Sequence, residues 1–298
     1  ARSMDTAGNT SAVSSVIIKY DLDRPTSTLL SPAAGYTQGL TLISGEANDE
    51  KLGARDYEAK LGTYTVKIAI KRADSDWWNE ADKGFTSGQP MWYEVKVDTS
   101  PYPEVSTVSW SYSLSADLQS KMTTSGRKDY WFVPYAYDLA LNWEFGATAS
   151  PGTSDIPPGA GRTINFDNEK PVAVATAPAN NAYLNGPVTL YGTATDNISG
   201  ISGVIDRVLV QVKARGANNS YWMGTYTNSS SDWDDGPNKY THWSTATYAG
   251  GGWSIPLPNL TPVNNSKISV WARAVDQAGN WMDSPTPGTG GQSDLNLS

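Results

Sequence analysis

The chain has no cysteine and one histidine, His242. Without Cys there is no disulfide framework and no thiolate metal site. With one His there is no Ser-His-Asp triad, no His-rich zinc site and no facial iron triad. Basic residues are outnumbered, 22 Lys and Arg against 30 Asp and Glu, for a net charge of -8. That balance excludes a nucleic-acid partner, whose phosphates must be neutralised by Lys and Arg. No apolar run approaches the roughly 18 residues of a membrane span. Long helical patterns are also missing: Ser115 to Met122 is the one helical segment expected.

Short runs of Val, Ile, Thr, Tyr and Trp alternate with turn residues, among them 27 Gly and 18 Pro. This is the profile of an all-β protein. A five-residue string occurs three times: Asp5-Thr6-Ala7-Gly8-Asn9, Asp138-Leu139-Ala140-Leu141-Asn142 and Asp276-Gln277-Ala278-Gly279-Asn280. The copies lie roughly 130–140 residues apart, so the repeat marks whole domains rather than solenoid units. The similarity extends outward. Ile18 to Pro25 reads like Ile164 to Pro171: aliphatic, variable, aromatic, Asp, variable, acid, base, Pro. Gly45-Glu46-Ala47-Asn48-Asp49 answers Gly192-Thr193-Ala194-Thr195-Asp196. Val66 to Lys71 and Val208 to Lys213 alternate in apolarity as half-buried strands do. Trp78, Trp92, Trp110 and Trp143 answer Trp222, Trp243, Trp253 and Trp281.

These matches set the expected boundaries: residues 1–20 as the terminal hairpin of a preceding repeat, 21–167 as one β-sandwich domain and 168–298 as a second. Ser150 to Gly161, rich in Pro and Gly, is read as a loop inside the first. The Pro at each junction restricts φ and favours a stiff connection. The repeated string lies between two strands, and Gly precedes Asn in two copies, so it reads as a hairpin with a positive-φ position. Asp and Asn would accept backbone N–H groups across the turn. Leu141 stands where the other copies have Gly; either that turn differs in shape or it holds strain.

The Gly-x-Ala-x-Asp near each domain start, the Trp-Ser-x-x-Leu strand and the closing string, in that order and spacing, resemble tandem bacterial Ig-like repeats of large secreted or cell-surface proteins. The resemblance implies two tandem immunoglobulin-like β-sandwich domains, an extracellular or cell-surface location, neighbouring repeats of the same parent chain as partners, and a spacer or adhesive role without catalysis. The units exceed a plain Ig domain of about 100 residues, and the surplus falls in the aromatic stretches 72–109 and 214–252.

Two chemistries follow as expectations. Asp21, Asp23, Asp167, Asn168 and Glu169 crowd the domain junctions and resemble the acidic linkers of cadherin-like arrays; calcium, which takes six to eight oxygens, is the cation they would hold, with Asp49, Asp196, Asp138 and Asp276 as further ligands where loops converge. The bland alternative is turn capping, with no cofactor required. The 12 Trp and 16 Tyr, against 4 Phe, are the residue types of sugar platforms. Trp at matching positions are read as packing residues. Trp77, Trp131, Trp233 and Trp271 have no match and are the candidates for exposed contact in the alternative reading, a carbohydrate-binding module facing a host or cell-surface glycan. Asp232, Asp234 and Asp235 flank Trp233 and offer a further cation loop. A glycosidase would need two carboxylates facing a cleft, and no local pattern isolates such a pair. Lys71 and Lys213 end matching strands; some surface Ig-like domains join a strand Lys to an Asn by an isopeptide bond.

Overall fold

The computed structural model describes residues 2–13, 20–49, 66–98, 107–146, 148–185, 188–198, 201–202, 204–215, 220–222, 233–234, 242–257, 267–282 and 292–297. Among the described residues the chain is all-β but for one short helix and a 3-10 turn at Thr153–Asp155, and its mainly antiparallel sheets pair into sandwiches. Contacts divide it into two compact units. The first holds residues 1–34, 40–121 and 129–164; the second holds residues 35–39, 122–128 and 165–298.

The second sandwich shows how sequence becomes layer. Its smaller sheet runs Val172–Ala177, Thr189–Thr195, Gly252–Pro256, Thr247–Ala249. Its larger sheet runs Tyr183–Leu184, Gln292–Leu297, Lys267–Asp276, Ile205–Arg215, Tyr221–Trp222, Trp233–Asp234. Strand period two sends Val208, Val210 and Val212 to one face, where they are buried. Ile268, Val270, Ala272 and Ala274 of the next strand join them, with Leu190, Trp253 and Ile255 from the opposing sheet.

The first sandwich repeats this order. Thr26–Ser31, Leu42–Asn48, Thr107–Ser113 and Lys96–Asp98 make its four-stranded sheet. Arg162–Phe166, Lys128–Ala136, Val66–Arg72, Trp77–Asn79 and Gly84–Ser87 follow one another in its larger sheet. Even the irregularities recur: a register shift between Leu29 and Ser31 matches one between Ala175 and Ala177. The helix spans Ala116–Thr124, two residues beyond the expected end. Ser115 starts it, its Oγ accepting the Leu118 N–H at 3.3 Å.

The Gly of Gly-x-Ala-x-Asp has a packing reason. A Cβ on Gly192 would lie 2.2 Å from Val174 O and 2.2 Å from Trp253 Cε2. On Gly45 it would lie 1.9 Å from Thr28 O and 2.4 Å from Trp110 Cζ2. The matched indole packs against a bare backbone in both sandwiches. Gly192→Ala is expected to destabilise the second sandwich by about 1–3 kcal/mol or more, the cost of overpacking a closed site; urea unfolding followed by Trp fluorescence measures it.

Candidate functional site

The repeated string is a stapled turn. Asp276 Oδ1 accepts the Asn280 N–H at 2.8 Å, and Asn280 Nδ2 donates to Asp276 Oδ2 at 2.8 Å. Asp138 and Asn142 repeat both bonds at 2.8 Å. Asp5 and Asn9 repeat them at 2.9 and 2.8 Å in the hairpin closed by the Met4–Thr10 bridge. The Asn amide has a second hydrogen: Asn280 Nδ2 also donates to Asp167 O at 2.9 Å, and Asn142 Nδ2 to Asp21 O at 3.2 Å. The closing turn is thereby tied to the segment that enters the first strand of its own unit.

Setting decides the charge. Exposed Asp5 is held below the usual carboxylate range, chiefly by the Asn9 side chain and backbone. Asp138 makes the same bonds but is pushed up, because burial outweighs them and the Asp21 charge adds to it. Leu141 keeps the turn shape at φ 65, against 85 and 86 for Gly8 and Gly279. The strain alternative is the one observed. Leu141 is also exposed, so Leu141→Gly gives up little packing. It is expected to raise the stability of the first unit by about 0.5–1 kcal/mol, read from the denaturation midpoint.

The staples bring acids together. Asp167, Asp196 and Asp276, all buried, offer oxygens within 4.8 Å of one another. Asp21, Asp49 and Asp138 do the same at the matching positions of the first unit. Of the junction residues expected to bind metal, Asp21 and Asp167 thus join clusters, while Asp23, Asn168 and Glu169 do not. The Asp23 and Glu169 N–H groups close tight turns on Asp21 Oδ1 and Asp167 Oδ1, at 2.9 and 3.0 Å. Asn168 is turned to Thr123 O at 3.1 Å.

In the second unit a guanidinium enters the cluster. Arg127 Nε donates to Asp167 Oδ2 at 2.7 Å and Nη1 to Asp196 O at 2.8 Å. Nη2 pairs with Asp167 Oδ2 at 2.6 Å and Asp196 Oδ2 at 2.7 Å. Burial pushes the Asp196 carboxyl up, Arg127 opposes that, and the charges of Asp167 and Asp276 reinforce it. Arg127 carries no sequence signal, being a lone base before a strand with partners 40 and 69 residues away.

Glu144 was also not legible. Its Oε1 accepts Ser27 N–H at 2.8 Å; its Oε2 accepts Ser27 Oγ–H at 2.5 Å and Ala136 N–H at 2.9 Å. The matching residue in the second unit is Met282, whose Sδ takes the Ala173 N–H at 3.2 Å. Burial pushes Glu144 up to about 7 from an ordinary 4.5. Its folded pKa is raised, so the folded state binds the proton more tightly. That contribution is full below about 4.5 and is lost as pH rises through about 7. At most about 3 kcal/mol is at stake. The first unit's melting temperature should fall across this window, and Glu144→Met should flatten the fall.

The expected aromatic platform is only partly assembled. Trp77 is a correction: it is 1% exposed. It lies under Lys71 Nζ at 5.8 Å, as Tyr221 lies under Lys213 Nζ at 5.1 Å, so its position is a matched packing site after all. Those contacts also give Lys71 and Lys213 a matched cation–π role. Trp131 is half-buried, 5.4 Å from Trp77, and its Nε1 donates to Ala160 O at 2.8 Å. Trp271 is half-buried on the strand opposite Gln211. The Trp233 side chain, Asp232 and Asp235 lie outside the described residues. The aromatic surplus of the first unit instead grips the loop 145–161: Trp92 Nε1 donates to Pro151 O at 2.9 Å and Tyr135 Oη to Thr148 O at 2.8 Å. Trp281 is 40% exposed, but Arg273 covers its ring at 4.4 Å.

Residues 171–242 match the family model described as the bacterial Ig domain. The match lies within the second unit, which is similar to a bacterial Ig domain over those residues. No curated protein sequence matches the chain. Among solved structures, fibronectin(III)-like modules of Clostridium thermocellum CbhA are 13% identical, covering 91% of this chain and 93% of theirs, at a TM-score of 0.33. A tetra-tandem repeat from the extending region of a large adhesion protein is 12% identical, covering 100% of this chain and 55% of its own, at 0.29. Domains A168–A170 of titin are 10% identical, covering 100% and 71%, at 0.33. This chain thus spans about half the length of the adhesion-protein repeat. Among the described residues no helix is long and apolar enough to cross a membrane.

Proposed function

We propose that the chain is a non-catalytic structural segment of an extracellular or cell-surface repeat array, in which Ig-like sandwiches serve as spacers and present loops for adhesion. The observation that carries this reading is duplication of structural chemistry. The Asp–Asn staple, the Gly–Trp contact, the Lys–aromatic contact and the acid triple recur at matching places in both units. Chemistry duplicated at the framework of each unit supports folding of the repeat. An active site would instead call for a set of groups peculiar to one cleft. The bacterial Ig match in the second unit agrees with a surface-protein repeat.

A carbohydrate platform is the weaker reading. Trp77 is buried and Trp131 is held by its own loop, which leaves few indole faces to stack on a sugar ring. Titration with soluble polysaccharides should leave Trp fluorescence unquenched, and a glycan array should stay blank. Saturable quenching by any polysaccharide would replace the spacer reading with the binding-module one.

A further inference from the structure

We infer that the second unit holds a hard divalent cation of the calcium class on Asp167, Asp196 and Asp276. The proposal goes beyond the spacer reading and stands without it. Three carboxylates converge here, all buried. Arg127 is the cation among the charged groups acting on Asp196, beside the acids Asp167 and Asp276, and its ion pairs are with Asp167 and Asp196. Buried charge of one sign is costly unless something neutralises it.

A second observation points to a ligand. Asp196 is 3% exposed, and Arg127 meets its Oδ2 and its backbone carbonyl. Its Oδ1 is enclosed and has no hydrogen-bond donor. An enclosed carboxylate oxygen with no donor is an expensive arrangement for a proton-poor site and an ordinary one for a cation ligand. The three residues bring carboxylate oxygens close enough together for one ion to bridge them. Calcium accepts six to eight oxygens in flexible geometry, whereas magnesium demands a near-ideal octahedron and dehydrates reluctantly. All three carboxylate contributors are framework groups: Asp276 is set by the Asn280 staple, Asp167 by the Glu169 N–H, and Asp196 directly follows the strand Thr189–Thr195. The ion would therefore add to a site already ordered. The matching triple Asp21, Asp49 and Asp138 places the same three residue types in the first unit.

The test is equilibrium dialysis of the whole chain against calcium after exhaustive chelation, beside thermal melts in chelator, calcium and magnesium. Calcium should be retained at millimolar free concentration and raise the melting temperature, with magnesium at the same concentration doing neither. Asp196→Asn should lower the number of bound ions by one, or weaken retention at least tenfold. No retained calcium in the wild type, or an Asp196→Asn variant that retains as much as the wild type, overturns the proposal. An Asp196→Asn variant that melts higher than wild type in chelator at pH 8, with no response of either to calcium, also overturns it and assigns the surplus charge to a bound proton. The wild-type dialysis decides the matter even where the variant does not fold.

Discussion

Everything in each unit hangs on one buried carboxylate, Asp138 or Asp276, at the end of a long central strand. The carboxylate satisfies the backbone of its own turn and fixes the Asn amide, and the amide then holds a carbonyl of the segment that enters the first strand. A single side-chain pair thus links the last hairpin of a unit to its first residues. Main-chain groups at such a crossing lie outside any ladder and would otherwise be buried without partners. The staple is made by the Asp and Asn side chains, which leaves the position before Asn open to Leu or Gly.

The same carboxylate creates the electrostatic problem of the fold. Tying the turn to the entering segment brings its Asp beside the Asp of that segment and the Asp that ends the Gly-x-Ala-x-Asp motif. The second unit answers with Arg127, which spends four contacts on two of the acids. Asp276 takes its hydrogen bonds from the Asn280 amide and backbone. The contrast between Asp5 and Asp138 shows the principle within one motif. Identical hydrogen bonds lower the carboxyl when water screens it and fail to offset burial when water is gone. Acid clusters in this protein are the consequence of a hydrogen-bonding solution, concentrated where the chain must close.

Much of this was legible from the sequence because it is periodic or repeated. Alternating Val208, Val210 and Val212 declared the strand, and Gly45 and Gly192 stood out as a repeated position, although the indole that crowds each of them did not. Asp49 and Asp196 were visible as possible partners of the staple acids, since each ends a repeated motif. Three features were hidden for physical reasons. Arg127 acts through tertiary contacts far along the chain and has no periodic context. Glu144 replaces a Met at the matched position, so comparing the repeats makes it look like a surface variation, although it accepts three hydrogen bonds. Trp77 seemed unmatched because its partner position carries Tyr221; the packing role conserves an aromatic face beneath Lys, and the letter changes.

The exchange of Glu144 for Met282 bears on how such repeats diverge. Both side chains take the N–H of the second residue of the first strand, one with carboxylate oxygens and one with a thioether sulfur. A thioether is a weak acceptor that fills apolar space. A carboxylate is a strong acceptor that must carry its charge into a half-buried place. The backbone requirement is the same, so the geometry survives the substitution; what changes is the linkage to pH. Glu144 gives the first unit a titrating group within the range where its environment can vary, whereas the second unit meets the same requirement with a group that does not titrate. Two sandwiches of one architecture can therefore differ in their response to the medium through a single residue that leaves the fold untouched.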